Sequence, residues 1–341
     1  MRILYFEYIR VIAISLVVLI HVTAPTLLTE DDFISGWTIC LSMNALSRIG
    51  VPLFFMISGA LFLNPDKNID FSYMRKKIQR IVFAFIVFSL LYSIIWFVAK
   101  MQFDFGVNDV VCIFLPRFLN GWFHLWFLQA LTVLYLLTPV LRLIVVDKSI
   151  CLYITLILFV VCSLFPFLGH FLNYKPFVGE LLDNMSFQLP QYALFYILGY
   201  ICSQLRYKIK SRGVLVCGGG AILLLEIIFE IIHSLQIGHP VILWSGYLSP
   251  LVVVYSCVVF LYIKEVNPSS SYKLVQILSA NSFGIYLIHV LFIEGLIRIQ
   301  FFPLYGMQVW LSPLITLSIV GLCSFLTTLL RKIRLMDFIL H

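Results

Sequence analysis

Charge is the scarcest property of this sequence. Only 11% of the 341 residues are Asp, Glu, Lys or Arg, against about 25% in an ordinary soluble domain. With 23 basic and 16 acidic side chains, a globule of this length could not coat its surface, so a cytosolic enzyme is excluded. Recognisable nucleotide and hydrolase signatures are also missing. There is no P-loop, no GxSxG elbow, no HExxH and no GxGxxG following a strand. The eight cysteines form no CxxC pair, which argues against a zinc module and a secreted disulfide scaffold. Most lie inside apolar runs and read as small core residues. Cys40 and Cys112 fall near one face and could pair, but nothing requires it.

What is present is apolar surface. The sequence is 62% hydrophobic and 16% aromatic, with a mean hydropathy of +1.03. A helix needs roughly 20 apolar residues to cross the hydrocarbon. Ten stretches qualify, at 8–28, 43–63, 80–100, 123–144, 150–169, 187–205, 214–235, 242–263, 276–298 and 309–330. The expectation is therefore an all-α polytopic membrane protein of about ten spans, forming one transmembrane domain over 1–341. The first stretch has no small-residue cleavage site and reads as a span, not a signal peptide. Segment 101–122 is too polar to span and is expected to lie in the interface or re-enter the protein. No repeat or two-half symmetry is visible.

The net charge of +7 would suggest a nucleic-acid partner if the basic residues were clustered on one exposed face. They lie instead in short loops, so no nucleic acid is implied. With the N-terminus inside, 18 of the 23 Lys and Arg fall on the cytoplasmic side, which places both termini in the cytoplasm. Two inner loops are especially basic, FSYMRKKIQR (71–80) and RYKIKSR (206–212). Attraction to anionic membrane lipids explains such loops; so does docking of an anionic cytoplasmic ligand.

Ionisable groups at membrane depth are expensive and mark functional sites. Arg10 and His21 lie on the first span, eleven residues apart. At about 100° per residue this falls about 20° from three full turns, so both project from one face, about 16.5 Å apart along the axis. Glu7, one turn before Arg10, can orient it. A cation at the inner mouth and an imidazole deeper in suit a long ligand with an anionic head and a reactive tail. His124 opens the fourth span among Trp122, Phe123, Trp126 and Phe127, which also fit an interfacial aromatic belt. His289 lies near the depth of His21. Glu226 and Glu230 stand at i,i+4 and read either as paired carboxylates or as a buried hydrogen-bonding group. Glu294 and Arg298 have the same spacing and are expected to pair. No metal-ligand spacing is visible.

These fragments resemble the acyltransferase-3 family, membrane O-acyltransferases that modify bacterial cell-surface glycans. IRVIAISLVVLIHV, with Arg10 and His21, is similar to the family's first-helix motif. RIGVPLFFMISGALFL (48–63) resembles its FFxxSG segment and RKKIQRI (75–81) its paired-arginine motif. HLWFL (124–128) and NSFGIYLIH (281–289) resemble its later signatures. One departure stands out: the Arg-x-x-x-Arg spacing is met here by Lys76 and Arg80, with Arg75 one residue earlier. Lys keeps the charge and loses the planar fork.

The resemblance implies an acyl-CoA co-substrate, usually acetyl-CoA, entering from the cytoplasm, with no permanently bound cofactor. It implies an acceptor hydroxyl on a cell-surface or lipid-linked glycan at the outer side of the bacterial cytoplasmic (inner) membrane. Arg10, Arg75, Lys76 and Arg80 would hold the CoA phosphates. His21 would act as general base or as acyl-carrying nucleophile. Ser58, His124 and Trp126 are carried over as secondary site candidates; Glu7 and His289 join them. The rival reading is a transporter or flippase of a lipid-linked sugar without acyl transfer.

Overall fold

A computed structural model of the chain describes residues 3–27, 36–67, 69–100, 113–171, 190–205, 212–239, 242–266, 268, 270, 272–299 and 307–340. Among these residues there are helices and no strand. The order is α1 (Leu4–Leu27), α2 (Trp37–Ser47), α3 (Gly50–Phe62), α4 (Phe71–Lys100), α5 (Leu115–Asn120), α6 (Trp126–Val146), α7 (Lys148–Phe159) and α8 (Phe165–Phe171). There follow α9 (Ala193–Gln204), α10 (Arg212–Ile237), α11 (Pro250–Val266), α12 (Lys273–Arg298), α13 (Ser312–Leu330) and α14 (Arg334–Leu340).

Among the described residues, eight helical stretches are long and apolar enough to cross a membrane, α2 and α3 together counting as one, as do α7 and α8. The spans expected at 187–205 and 242–263 are represented by shorter helices, Ala193–Gln204 and Pro250–Val266. Large apolar side chains point outward along these helices, with Leu143, Val214, Leu317 and Phe325 all exposed. Hydrocarbon accommodates such a surface; water would not. Cys112 and most of 101–122 lie outside the described residues. The described end of that segment, α5, folds back on α4: Ser89 Oγ donates to the Phe118 carbonyl at 2.6 Å and the Arg117 guanidinium stacks 3.8 Å from the Trp96 ring centre.

Helix association without a hydrophobic driving force depends on close packing and interhelical hydrogen bonds. Both appear around the centre. A Cβ on Gly59 of α3 would collide with the backbone carbonyl of Tyr196 on α9, and a Cβ on Gly199 with that of Met56. The two backbones therefore touch, and only glycine fits at this crossing. The crossing sets the rotation of α3, so that Ser58, next to Gly59, turns into a cavity. Polar bonds tie the remaining helices. Tyr92 Oη of α4 donates to the Leu287 carbonyl of α12 at 2.9 Å. Asn281 Nδ2 of α12 donates to the Ser324 and Thr328 hydroxyls of α13 at 3.0 and 2.9 Å. Asn44 Nδ2 of α2 donates to Thr23 Oγ1 of α1 at 3.0 Å.

One end of the bundle is held by cations on backbone carbonyls. Arg142 donates to the carbonyls of Phe62, Asn64 and Lys67 at 3.0, 3.1 and 2.8 Å. Lys264 Nζ donates to those of Cys202, Ser203 and Leu205 at 2.6–2.8 Å. Both satisfy carbonyls left over where a helix ends. Arg80 Nε donates to the Ile339 carbonyl at 2.7 Å, fixing α14 against α4.

Candidate functional site

At that same end a cavity of about 400 Å³ opens between α1, α3, α4, α6 and α12. Three cations line it: Arg10, Lys77 and Arg80. Like charges converging in one cleft repel, and an anion entering it relieves that repulsion. Arg80 is held on two sides, by the Ile339 carbonyl and by the face of Phe283, 5.2 Å from its ring centre. Ser58 and Tyr135 form part of the wall. Arg75 and Lys76 are exposed and do not line the cavity. Lys77, one residue on, does. Consecutive residues on a helix diverge by about 100°, so spacing alone could not choose among 75, 76 and 77.

Phe127 and Tyr286 close the deep end of the cavity, their ring centres 5.4 Å apart. Against Tyr286 lie His124, at 5.7 Å, and His289, at 6.1 Å. His21 completes the group. Its ring centre is 5.1 Å from His289 and 6.4 Å from His124, and the latter two are 5.3 Å apart. Three helices thus bring three imidazoles together: α1 carries His21, the turn before α6 carries His124, and α12 carries His289. His124 and His289 are buried. His124 therefore does not sit in an outer aromatic belt; Phe123 is the exposed member of that pair. Tyr286 Oη donates to the His124 carbonyl at 2.6 Å, which holds the turn in place.

Hydrogen-bond chemistry assigns one tautomer. His289 Nδ1 lies 2.7 Å from the Tyr286 carbonyl. A carbonyl only accepts, so Nδ1 carries the proton and Nε2 keeps its lone pair. That Nε2 is buried and has no hydrogen-bond partner among the described residues, and the same holds for both nitrogens of His124. A lone pair held in this way is free to accept a hydrogen bond. Among the described residues, no set of three His, Cys, Asp or Glu side chains is arranged to hold a metal ion.

The remaining candidates lie around this axis. Glu7 is buried one turn from Arg10 on α1. Trp126 packs against Tyr192 at 5.1 Å and Tyr247 at 5.7 Å. Glu294, expected to pair with Arg298, instead accepts a hydrogen bond from Trp122 Nε1 at 2.8 Å, and Arg298 acts on it from further off. Trp122 in turn stacks on Tyr92 at 5.7 Å. Sequence spacing missed Lys77, Phe127 and Tyr286 as parts of the site. Lys77 was one of three adjacent cations, and the two aromatics were indistinguishable from core.

Compared with known proteins, residues 3–330 match the family described as an acyltransferase domain. No curated protein matches the chain, nor does any solved structure.

Proposed function

The chain belongs to this acyltransferase family, and on that premise we propose that it moves an acyl group, acetyl in the first instance, from acyl-CoA to a hydroxyl of a cell-surface glycan across the bacterial cytoplasmic membrane. The observation that carries the reading is the placement of a cation-lined cavity whose deep end abuts three clustered imidazoles. Acyl-CoA has this shape: polyanionic phosphates at one end, an apolar arm, and a reactive thioester at the other.

Arg10, Lys77 and Arg80 would hold the phosphates, since guanidinium and ammonium groups in a partly desolvated cleft make charge-assisted bonds to phosphate oxygens. The pantetheine arm would run along Ile57, Leu61 and Leu131, past Ser58 and Tyr135, toward Phe127 and Tyr286. The basic-residue distribution supports placing this mouth, and both termini, in the cytoplasm. At the histidines an acceptor hydroxyl oxygen would attack the thioester carbonyl. His21 takes the hydroxyl proton and returns it to the departing CoA sulfur. The carbon–oxygen ester bond forms as the carbon–sulfur bond breaks. His289, whose Nε2 has no partner among the described residues, lies beside His21 and would accept from its ring to hold its orientation, as a base is commonly held by a third group. A two-step route through an acyl-histidine uses the same residues.

The test is radiolabelled acetyl-CoA with the purified protein in nanodiscs. The wild type should hydrolyse or exchange acetyl-CoA. His21→Ala should bind it with unchanged affinity and lose turnover by about 10² to 10⁴. Wild-type protein that binds acetyl-CoA and never cleaves it would contradict acyl transfer.

A further inference from the structure

Beyond the histidines, toward the end of the bundle away from the cation cavity, lies a second polar group that the donor side does not use. Glu226 of α10 is completely buried, and neither carboxylate oxygen has a hydrogen-bond partner among the described residues. Glu230, one turn on, is occupied: its two oxygens accept from the backbone N–H groups of Leu243 at 2.6 Å and Ser245 at 2.9 Å. The i,i+4 carboxylates are thus unequal. Glu230 anchors the segment 242–249 to α10, and Glu226 is left over.

Facing them is Arg48, at the end of α2. Its guanidinium lies 5.1 Å from the ring centre of Tyr247, in the anchored segment. Its Nε is buried without a partner among the described residues. Arg48 lies within electrostatic range of Glu226, Glu230 and His21. Yet Arg48 and Glu226 form no ion pair within 4.0 Å. Ser245 and Ser249 of the same segment add two buried hydroxyls without partners among the described residues. Tyr247 continues into Trp126, 5.7 Å away.

A buried carboxyl group without hydrogen-bond partners costs free energy, and a buried guanidinium nitrogen without one adds to it. Proteins leave such groups where a ligand completes them. The required ligand offers O–H donors to Glu226, oxygen acceptors to Arg48, and a flat C–H face to Tyr247 or Trp126. A sugar ring carries all three. We propose that Glu226, Arg48 and the Tyr247–Trp126 aromatic pair form a carbohydrate-binding site that presents an acceptor hydroxyl to His21. The inference rests on the acyl-transfer reading above and adds the residues that select the acceptor. Glu226 and Arg48 are positioning residues; the reacting hydroxyl belongs to His21.

The test uses nanodisc-embedded protein, labelled acetyl-CoA and a cell-envelope glycan extract stripped of esters by mild alkali. Glu226→Gln keeps the shape and replaces the carboxyl group with an amide. It should raise KM for the glycan by about tenfold, the loss of one buried hydrogen bond, with acetyl-CoA affinity unchanged. Glu230→Gln should lower thermal stability, because it releases the segment 242–249 from α10. Glycan titration of tryptophan fluorescence reads binding without turnover: a change in the wild type that is lost in Glu226→Gln supports the site. An unchanged KM and an equal fluorescence response in both would overturn it, as would no response in the wild type. Should Glu226→Gln fail to insert, Arg48→Lys carries the same two readouts. If the wild type binds the glycan through Glu226 and yet transfers no acetyl, the acyl-transfer reading fails and the carbohydrate site stands.

Discussion

Removing Lys77 should weaken acyl-CoA binding, and removing Lys76 should not. The two ammonium groups are adjacent in sequence and carry the same charge, so they differ only in direction: Lys77 lines the cavity and Lys76 is exposed beside it. For a phosphate at about 4 Å and an effective dielectric near 20, the Coulomb attraction is about 4 kcal/mol. Desolvation reduces this to the about 1.5–3 kcal/mol typical of a hydrogen bond to a charged group. Lys77 also repels Arg10 and Arg80 in the empty cavity, so its loss relaxes the free protein and the lower half of that range applies. Lys77→Ala should therefore raise Kd for acetyl-CoA by about 10- to 40-fold. Arg75→Ala and Lys76→Ala should change it by less than about threefold, an effect that shrinks further with salt because exposed charges are screened within about 10 Å at 0.1 M. Equilibrium binding to nanodisc-embedded variants at low and high salt measures all three. A larger loss for Lys76→Ala than for Lys77→Ala would refute the reasoning, because α4 would then be rotated from the orientation described.

Gly59→Ala and Gly199→Ala place a methyl group against a backbone carbonyl across the α3–α9 crossing. Each should cost well over the about 1–3 kcal/mol of ordinary overpacking and show as lost detergent-stable protein by size-exclusion chromatography. Gly220→Ala, with open space around its Cβ, should be silent in the same assay. Arg142→Gln removes donors from carbonyls at the end of α3 and the following loop. It should lower the melting temperature by several degrees, about 1.5–3 kcal/mol of stability, and raise the KM for acetyl-CoA only modestly. Tyr92→Phe removes the buried bond to the Leu287 carbonyl. It should cost about 1 kcal/mol, read by thermal denaturation, without abolishing turnover.

Much of this arrangement is legible from residue spacing because helices in a membrane obey few rules. Length and apolarity locate the spans, and eleven-residue spacing places Arg10 and His21 along one face of α1. Depth along a helix is likewise readable, which is why His21 and His289 could be compared before any contact was known. Rotation about the helix axis is not readable. It is set by partners, such as the Gly59–Gly199 crossing, and it decides whether Lys76 or Lys77 faces the cavity. Loops are equally opaque. The difference between Glu226 and Glu230 depends on two N–H groups from a segment thirteen to fifteen residues later, and no periodicity encodes that. Glu294 shows the limit of local pairing rules, since Trp122, far away in sequence, takes the place expected of Arg298.

The central claim is that an acyl group passes from a donor at the cation-lined mouth to an acceptor at the opposite end of the bundle. The most direct measurement uses proteoliposomes of known orientation, with labelled acetyl-CoA supplied only on the side of Arg10, Lys77 and Arg80 and de-esterified glycan only on the other. Label should appear on the glycan as an alkali-labile ester with the wild type and not with His21→Ala. Unlabelled glycan carried across the bilayer, or label confined to the donor side, would contradict the account.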